Sequence, residues 1–170
     1  MSTKRDKAWF DRLWNVDAGN VRAYLQRRVQ LSDVDDLLSE VFVVAWRHRD
    51  RKPNSELSWL YGISRRVVST HYRGAQRRND LEVKLNHQPA TLADEFARSD
   101  LRSEIAEALA ILDPDDRELL LLTAWEGLTP KEIAIATESN SPAVRMRLSR
   151  ARSRFEQALT AEPHVKGAQR

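Results

Sequence analysis

Between Arg145 and Arg154 the chain places five arginines, Arg145, Arg147, Arg150, Arg152 and Arg154, with no carboxylate among them. A guanidinium stays charged at any physiological pH and offers a planar fork of donors, so such a cluster suits a polyanion, above all a phosphate backbone. A second acid-free run extends from Arg65 to Arg78 and holds Arg65, Arg66, Arg73 and Arg77 on one helical face with Ser69 and Gln76. A third pattern has mixed sign: Asp33, Asp36, Glu40, Val43 and Arg47 recur at intervals of three and four. Its plainer reading is a solvated helix face whose charges suit the helix dipole. Its functional reading is a docking surface for a basic helix of another protein.

Other chemistries find no footing. With no cysteine there is no disulfide, no thiol nucleophile and no cysteine-ligated metal. His48, His71, His87 and His164 are scattered, and no glycine-rich phosphate loop occurs. Neither an enzyme nor a cofactor or metal site is expected. Lysine plus arginine exceed aspartate plus glutamate by only 28 to 25, so what favours a nucleic-acid partner is the clustering of charge rather than its sum. The longest apolar run, Val41 to Trp46, is far below the ~20 residues of a membrane span, so a soluble, cytoplasmic chain without membrane insertion is expected.

Helices must position these residues. Thr129, Pro130, Lys131 and Glu132 spell a capping box with proline at the first helical position. That helix carries Ile133, Ala134 and Ala136, then yields at Thr137 to the turn Glu138, Ser139 and Asn140. Asn140 or Ser141 caps the next helix, in which Val144, Leu148, Ala151, Phe155 and Leu159 form one apolar stripe. Arg145 and Arg152 flank the stripe on one side, and Arg147, Arg150 and Arg154 on the other; Met146, Ser149 and Ser153 point away. A short helix, a tight turn and an arginine-flanked helix make a helix-turn-helix, whose second helix enters the major groove amino end first. Upstream, Ile105, Leu109 and Leu112 mark one helix, and Asp113 with Pro114 begins another that carries Leu119 to Leu122 and stops at Gly127. The expected carboxyl-terminal domain spans 101–160, with 161–170 a disordered tail.

In the first half, charged residues through Arg12 are expected to fray, although Trp9, Phe10, Leu13 and Trp14 could anchor a helix; Val21 to Val29 forms a second helical segment. Ser32 or Asp33 caps an amphipathic helix carrying Val34, Leu37, Leu38, Val41, Phe42 and Ala45. An exposed basic loop with Pro53 follows, and Trp59 opens a helix with Leu60, Ile63, Ser64 and Val67 inward. Arg51, Lys52, Trp59, Tyr61 and Tyr72 supply the cations and rings that unpaired bases use, though Trp59 equally suits a core position. Between Asn79 and Asp100 five acids face only Lys84 and Arg98, the composition of a tether. The fold expected is all-α: two small helical domains, 1–78 and 101–160, joined by an acidic flexible linker, with both cationic faces open toward one stretch of DNA.

Taken in order, these stretches resemble the bacterial sigma-70 family, and within it the small extracytoplasmic-function (ECF) group. DVDDLLSEVFVVAWRHR from Asp33 resembles the family's clamp-binding helix, and SWLYGISRRVVSTHYR from Ser58 its promoter-melting helix. The long stretch from Leu112 to Phe155 resembles the domain that reads the upstream promoter element. The resemblance implies an RNA polymerase sigma factor whose partners are the polymerase core, through the β′ clamp and β subunits, promoter DNA and an anti-sigma factor. It implies that Asp33, Asp36, Ser39, Glu40 and Arg47 meet the clamp. Arg51, Lys52, Asn54, Ser55, Trp59, Arg65, Arg66, Arg73 and Arg77 would handle the −10 strand. Ser141, Ala143, Arg145, Met146, Arg147, Ser149 and Arg150 would meet the −35 duplex. Glu138 stands where the family usually has glycine, Ser39 where it usually has glutamine, and Thr137 and Ser139 replace usual apolar residues. The competing reading is a free-standing helix-turn-helix regulator, which leaves the Asp33 row and the basic loop without a purpose.

Overall fold

The computed structural model describes residues 2–51, 53–82 and 100–160. Among these lie seven α-helices: α1 (Ser2–Gln26), α2 (Val34–Arg47), α3 (Glu56–Glu82), α4 (Asp100–Ile111), α5 (Pro114–Ala124), α6 (Pro130–Ala136) and α7 (Ser141–Thr160). The all-α expectation holds. The proposed tail, and most of the proposed linker, lie outside the described residues.

Helix α1 is one element of 25 residues, where fraying through Arg12 and a separate segment from Val21 were expected. Trp9, Leu13, Val21, Tyr24 and Leu25 are all buried along it. Each such side chain contributes roughly 1.5–3 kcal/mol of burial, which outweighs the cost of about 1 kcal/mol for Gly19 inside a helix. Helix α3 begins at Glu56, three residues before Trp59. The Glu56 carboxylate sits in the first turn, where the helix dipole favours it, and accepts hydrogen bonds from Trp9 Nε1 at 2.6 Å and from Arg12. The helix also runs on to Glu82, past the expected domain edge at residue 78.

Helices α1, α2 and α3 pack as a three-helix unit around Leu13, Phe42, Val41 and Leu60. In the second unit Asp113 caps α5, accepting from the Asp115 amide at 3.1 Å, and Gly127 takes the left-handed conformation (φ 65°) that ends it. Arg117 donates to the carbonyls of Leu109, Ala110 and Leu112, sealing the carboxyl end of α4. The capping box at Thr129 is complete, and Asn140 Oδ1 accepts from the Ala143 amide at 2.8 Å to start α7.

The two units pack together. Helix α3 lies along α6, and one continuous apolar core runs from Trp9 and Leu13 through Tyr61 to Leu122, Ile133 and Val144. The approach is closest at Gly62, where a Cβ would sit 2.9 Å from the Ala136 carbonyl oxygen. Two units held apart by a tether were expected; long-range burial has instead brought them into contact.

Candidate nucleic-acid and polymerase interface

On α2 the mixed-sign row stands clear of the core: Asp36, Ser39, Glu40 and Arg47 are exposed, while Asp33 turns aside to His71, 3.4 Å away on α3. Beside the row lies a feature the sequence reading missed, an open apolar groove of about 870 Å³. Phe10, Trp14, Phe42, Val43 and Trp46 line it, and Lys4, Lys7 and Arg47 give it a cationic edge. Phe10 stands edge-on to Phe42 and Trp46, and Trp14 edge-on to Phe42, a rigid wall of rings. The available signal was Val43, an apolar residue in a row of charges, 48% exposed. An exposed patch of this kind marks a contact surface.

The expected −10 residues are only partly gathered. Arg51 and Asn54 are exposed before α3, and Ser55 Oγ donates to Ser58 Oγ at 2.7 Å. Lys52 lies outside the described residues, as does the Arg77 side chain. Trp59 packs against Trp9, ring centroids 6.4 Å apart, so its core alternative is realised in large part. Tyr61 is buried and Tyr72 donates its hydroxyl to the Arg28 carbonyl, so neither is the edge aromatic expected. Arg73 is exposed and curls onto Ser69 O and Thr70 Oγ1. Arg65 lies 3.8 Å from Glu118, and Arg66 pairs with Glu138 at 2.9 Å. The open cationic face expected along α3 is therefore partly neutralised, because the partner carboxylates arrive from the other unit.

On α7, Arg145, Met146, Ser149 and Arg150 are exposed, Ala143 and Ser141 half-buried in the first turn. Arg147 and Arg154, expected to be free, both reach Asp116 of α5, at 2.9 and 3.5 Å. No acid lies between Arg145 and Arg154 in sequence; this one comes from 31 residues upstream of Arg147. Glu138 holds φ 51° in the turn, a left-handed conformation that costs a non-glycine residue about 1 kcal/mol.

Residues 16–78 match the family model described as Sigma-70 region 2, and residues 102–155 match the one described as Sigma-70, region 4. The RNA polymerase sigma factor CnrH of Cupriavidus metallidurans is 31% identical over 145 residues, covering 77% of this chain and 75% of that one. The chain belongs to the sigma-70 family of RNA polymerase sigma factors. The ECF RNA polymerase sigma factor SigC of Mycobacterium tuberculosis is 33% identical over 129 residues, covering 72% of this chain and 69% of its own, and places it with the ECF group. The fold agrees with that of the sigma factor RpoE of Bartonella quintana, solved in complex with the anti-sigma factor NepR. The TM-score is 0.64 at 21% identity, over 90% of this chain and 98% of that one. A sigma factor serves RNA polymerase in transcription initiation, which sets the class of function.

Between region 2 and region 4 of this sigma factor runs a buried ionic seam that the sequence reading did not foresee. Arg28 stacks on the Tyr24 ring, 3.6 Å from its centroid, and reaches Glu118 at 3.2 Å and Glu126 at 3.1 Å. Arg27 meets Glu126 at 2.5 Å, and the Tyr24 hydroxyl donates to Glu118 at 2.9 Å. Burial, then the neighbouring Glu118 carboxylate, pushes the Tyr24 hydroxyl well above its ordinary pKa. Burial, then Glu126, pushes Tyr61 up to about 12. Both phenols therefore stay protonated donors at any physiological pH.

Proposed function

We propose that this sigma factor docks on core polymerase through the outer face of α2, captures the −10 strand with region 2, and reads the −35 duplex with region 4. Asp36, Glu40 and Arg47 give the dock its charge pattern, and the groove beside them supplies apolar area for a helix of the β′ clamp. That pairing of an exposed apolar groove with a charged row on one face is the observation that carries the reading. A free-standing regulator leaves the charged row and the basic loop before α3 without a purpose. Arg51, Lys52, Asn54 and Ser55 before α3, with Arg65, Arg66, Arg73 and Arg77 along it, supply cations and polar groups for an unstacked strand. Arg145, Met146, Ser149 and Arg150 line the exposed amino half of α7, where a helix-turn-helix meets base edges, with Ser141 and Ala143 at its entry. Arg147 joins them only by leaving Asp116.

The working units are residues 1–78 and 101–160, with 79–100 as the connection. Two modest DNA contacts on one chain gain by effective concentration once polymerase holds both. The protein carries out no chemistry of its own and works in the cytoplasm. The RpoE neighbour was solved with an anti-sigma factor, which supports a partner of that class here, covering the polymerase- and DNA-facing surfaces. The test is reconstitution: purified chain plus core polymerase should initiate at specific promoters, and the chain alone should bind them weakly. Tight operator binding as a homodimer, without stimulation of polymerase, would overturn the reading.

A further inference from the structure

A helix turns by about 100° per residue, so Pro142, Ala143, Ser149 and Ser153 of α7 all point within about 60° of Met146. All four are short. Met146 therefore stands out from the ridge, 66% exposed, with the buried stripe Val144, Leu148 and Ala151 on the opposite side. Arg145 precedes it and Arg150 follows one turn on, and among the described residues neither has a carboxylate partner, whereas Asp116 holds Arg147 and Arg154. Folding gives no reason for a methionine there, since lysine or glutamine forms helix as readily and leaves less apolar surface in water. We propose that Met146 is a specificity-determining residue of the upstream contact, and that its thioether chain packs on the C5-methyl group of a thymine in the major groove. The inference deepens the −35 reading and rests on it.

A thioether donates no hydrogen bond and accepts only weakly, so it cannot read the donors and acceptors that guanine, cytosine and adenine present in the major groove. Thymine adds a methyl group to its groove edge, and a flexible, polarisable chain moulds to such a group. Arg145 and Arg150 contribute differently. Their charge draws the helix toward phosphates whatever the sequence, and Met146 adds discrimination to binding that they supply. Ala143 and Ser149, three residues to either side of Met146, are small enough for the helix to come close to the base edges. The effect is set by the area of one methyl group, whose burial corresponds to about a fourfold change in affinity. That is small beside the arginines and sufficient to make thymine the preferred base at one position.

The experiment uses holoenzyme reconstituted from the full chain and core polymerase, which selects bound promoters from a library randomised over the upstream element. The enriched element should contain a thymine, on either strand, whose replacement by uracil lowers affinity about fourfold, since that exchange removes the methyl group alone. With Met146→Ala the same replacement should change nothing, and Met146→Leu should keep the effect. Met146→Gln should move the preferred base at that position from thymine to adenine, whose N6 and N7 a carboxamide meets as a bidentate pair. Met146 is exposed, and alanine, leucine and glutamine are all good helix formers, so α7 is retained in each variant. If no thymine of the enriched element responds to uracil, or if Met146→Ala responds as strongly as the native chain, the assignment of Met146 is overturned and the −35 reading stands. Enrichment of no upstream sequence at all would remove the −35 reading, and this inference with it.

Discussion

Helix α6 has only seven residues, too few to persist on propensity, so its amino-terminal cap should weigh heavily. Glu132 Oε2 accepts from the Thr129 hydroxyl at 2.7 Å and from the Thr129 amide at 2.8 Å, while Thr129 Oγ1 accepts from the Glu132 amide at a longer 3.4 Å. Thr129→Ala deletes the charge-assisted hydroxyl bond and the long amide bond but leaves the backbone bond in place. Caps of this kind are worth about 1 kcal/mol, with a range of roughly 0.5–2. Because both regions share one core, the unfolding unit is large, and the melting temperature should fall by about 2–4 °C for each kcal/mol lost. The two bonds that Thr129 makes, the side-chain one foremost, hold the Glu132 carboxyl below its ordinary pKa. A lowered carboxyl contributes stability above its unfolded pKa and loses it as pH falls through the folded one. The difference between native and variant melting temperatures should therefore be full at pH 7 and shrink in acid, below the usual glutamate range, while Thr129→Ser retains most of it. Circular dichroism melts across pH test this. A loss below about 0.3 kcal/mol at pH 7, or one that persists undiminished in acid, would refute the assignment of the cap.

Burial, then Glu56, raises the Asp17 carboxyl, against the opposing pull of Arg12. Its stabilising contribution is complete below the unfolded pKa and lost as pH rises through the folded one, so Asp17→Asn should stabilise the protein near pH 7 and lose that advantage in acid, as followed by denaturant titration. Asp36→Lys with Glu40→Lys should weaken binding to core polymerase by about tenfold without changing the melting temperature; unchanged affinity in a surface-capture assay would remove α2 from the dock. Arg145→Ala and Arg150→Ala should each lower affinity for upstream-element duplex, and each that meets a phosphate should reduce the slope of log K against log salt by about one. Arg147→Ala should also cost thermal stability, because Asp116 would lose a partner it holds at 2.9 Å.

The features legible from sequence were those whose causes lie within a few residues. Thr129 with Glu132, Asp113 with Pro114, and the stripe Val144, Leu148, Ala151 declare themselves locally, and the structure realises each of them. The continuity of α1 was missed because a charged opening and Gly19 argue locally for breaks, whereas burial of Trp9 and Leu13 is decided by α2 and α3. The early start of α3 depends on Glu56 meeting Trp9, 47 positions away. The seam was invisible for the same reason: Arg28 and Glu126 are separated by 98 positions, and nothing in a local window sets a cation of one unit against an acid of another. Tyr61 reads as an edge aromatic until the second unit covers it. For the dock, the charged row was legible and the groove was not, since its rings come from both α1 and α2.

Asp116 grips two side chains spaced a pair of turns apart on α7, Arg147 and Arg154, from one fixed point on α5. Two anchors along a rod leave it no freedom to roll. Together with the buried stripe Val144, Leu148 and Ala151, that anchor on α5 helps set the azimuth at which Arg145, Met146, Ser149 and Arg150 leave the helix. Grafting those four side chains onto a relative that lacks such an anchor would transplant the letters without the alignment needed to read with them.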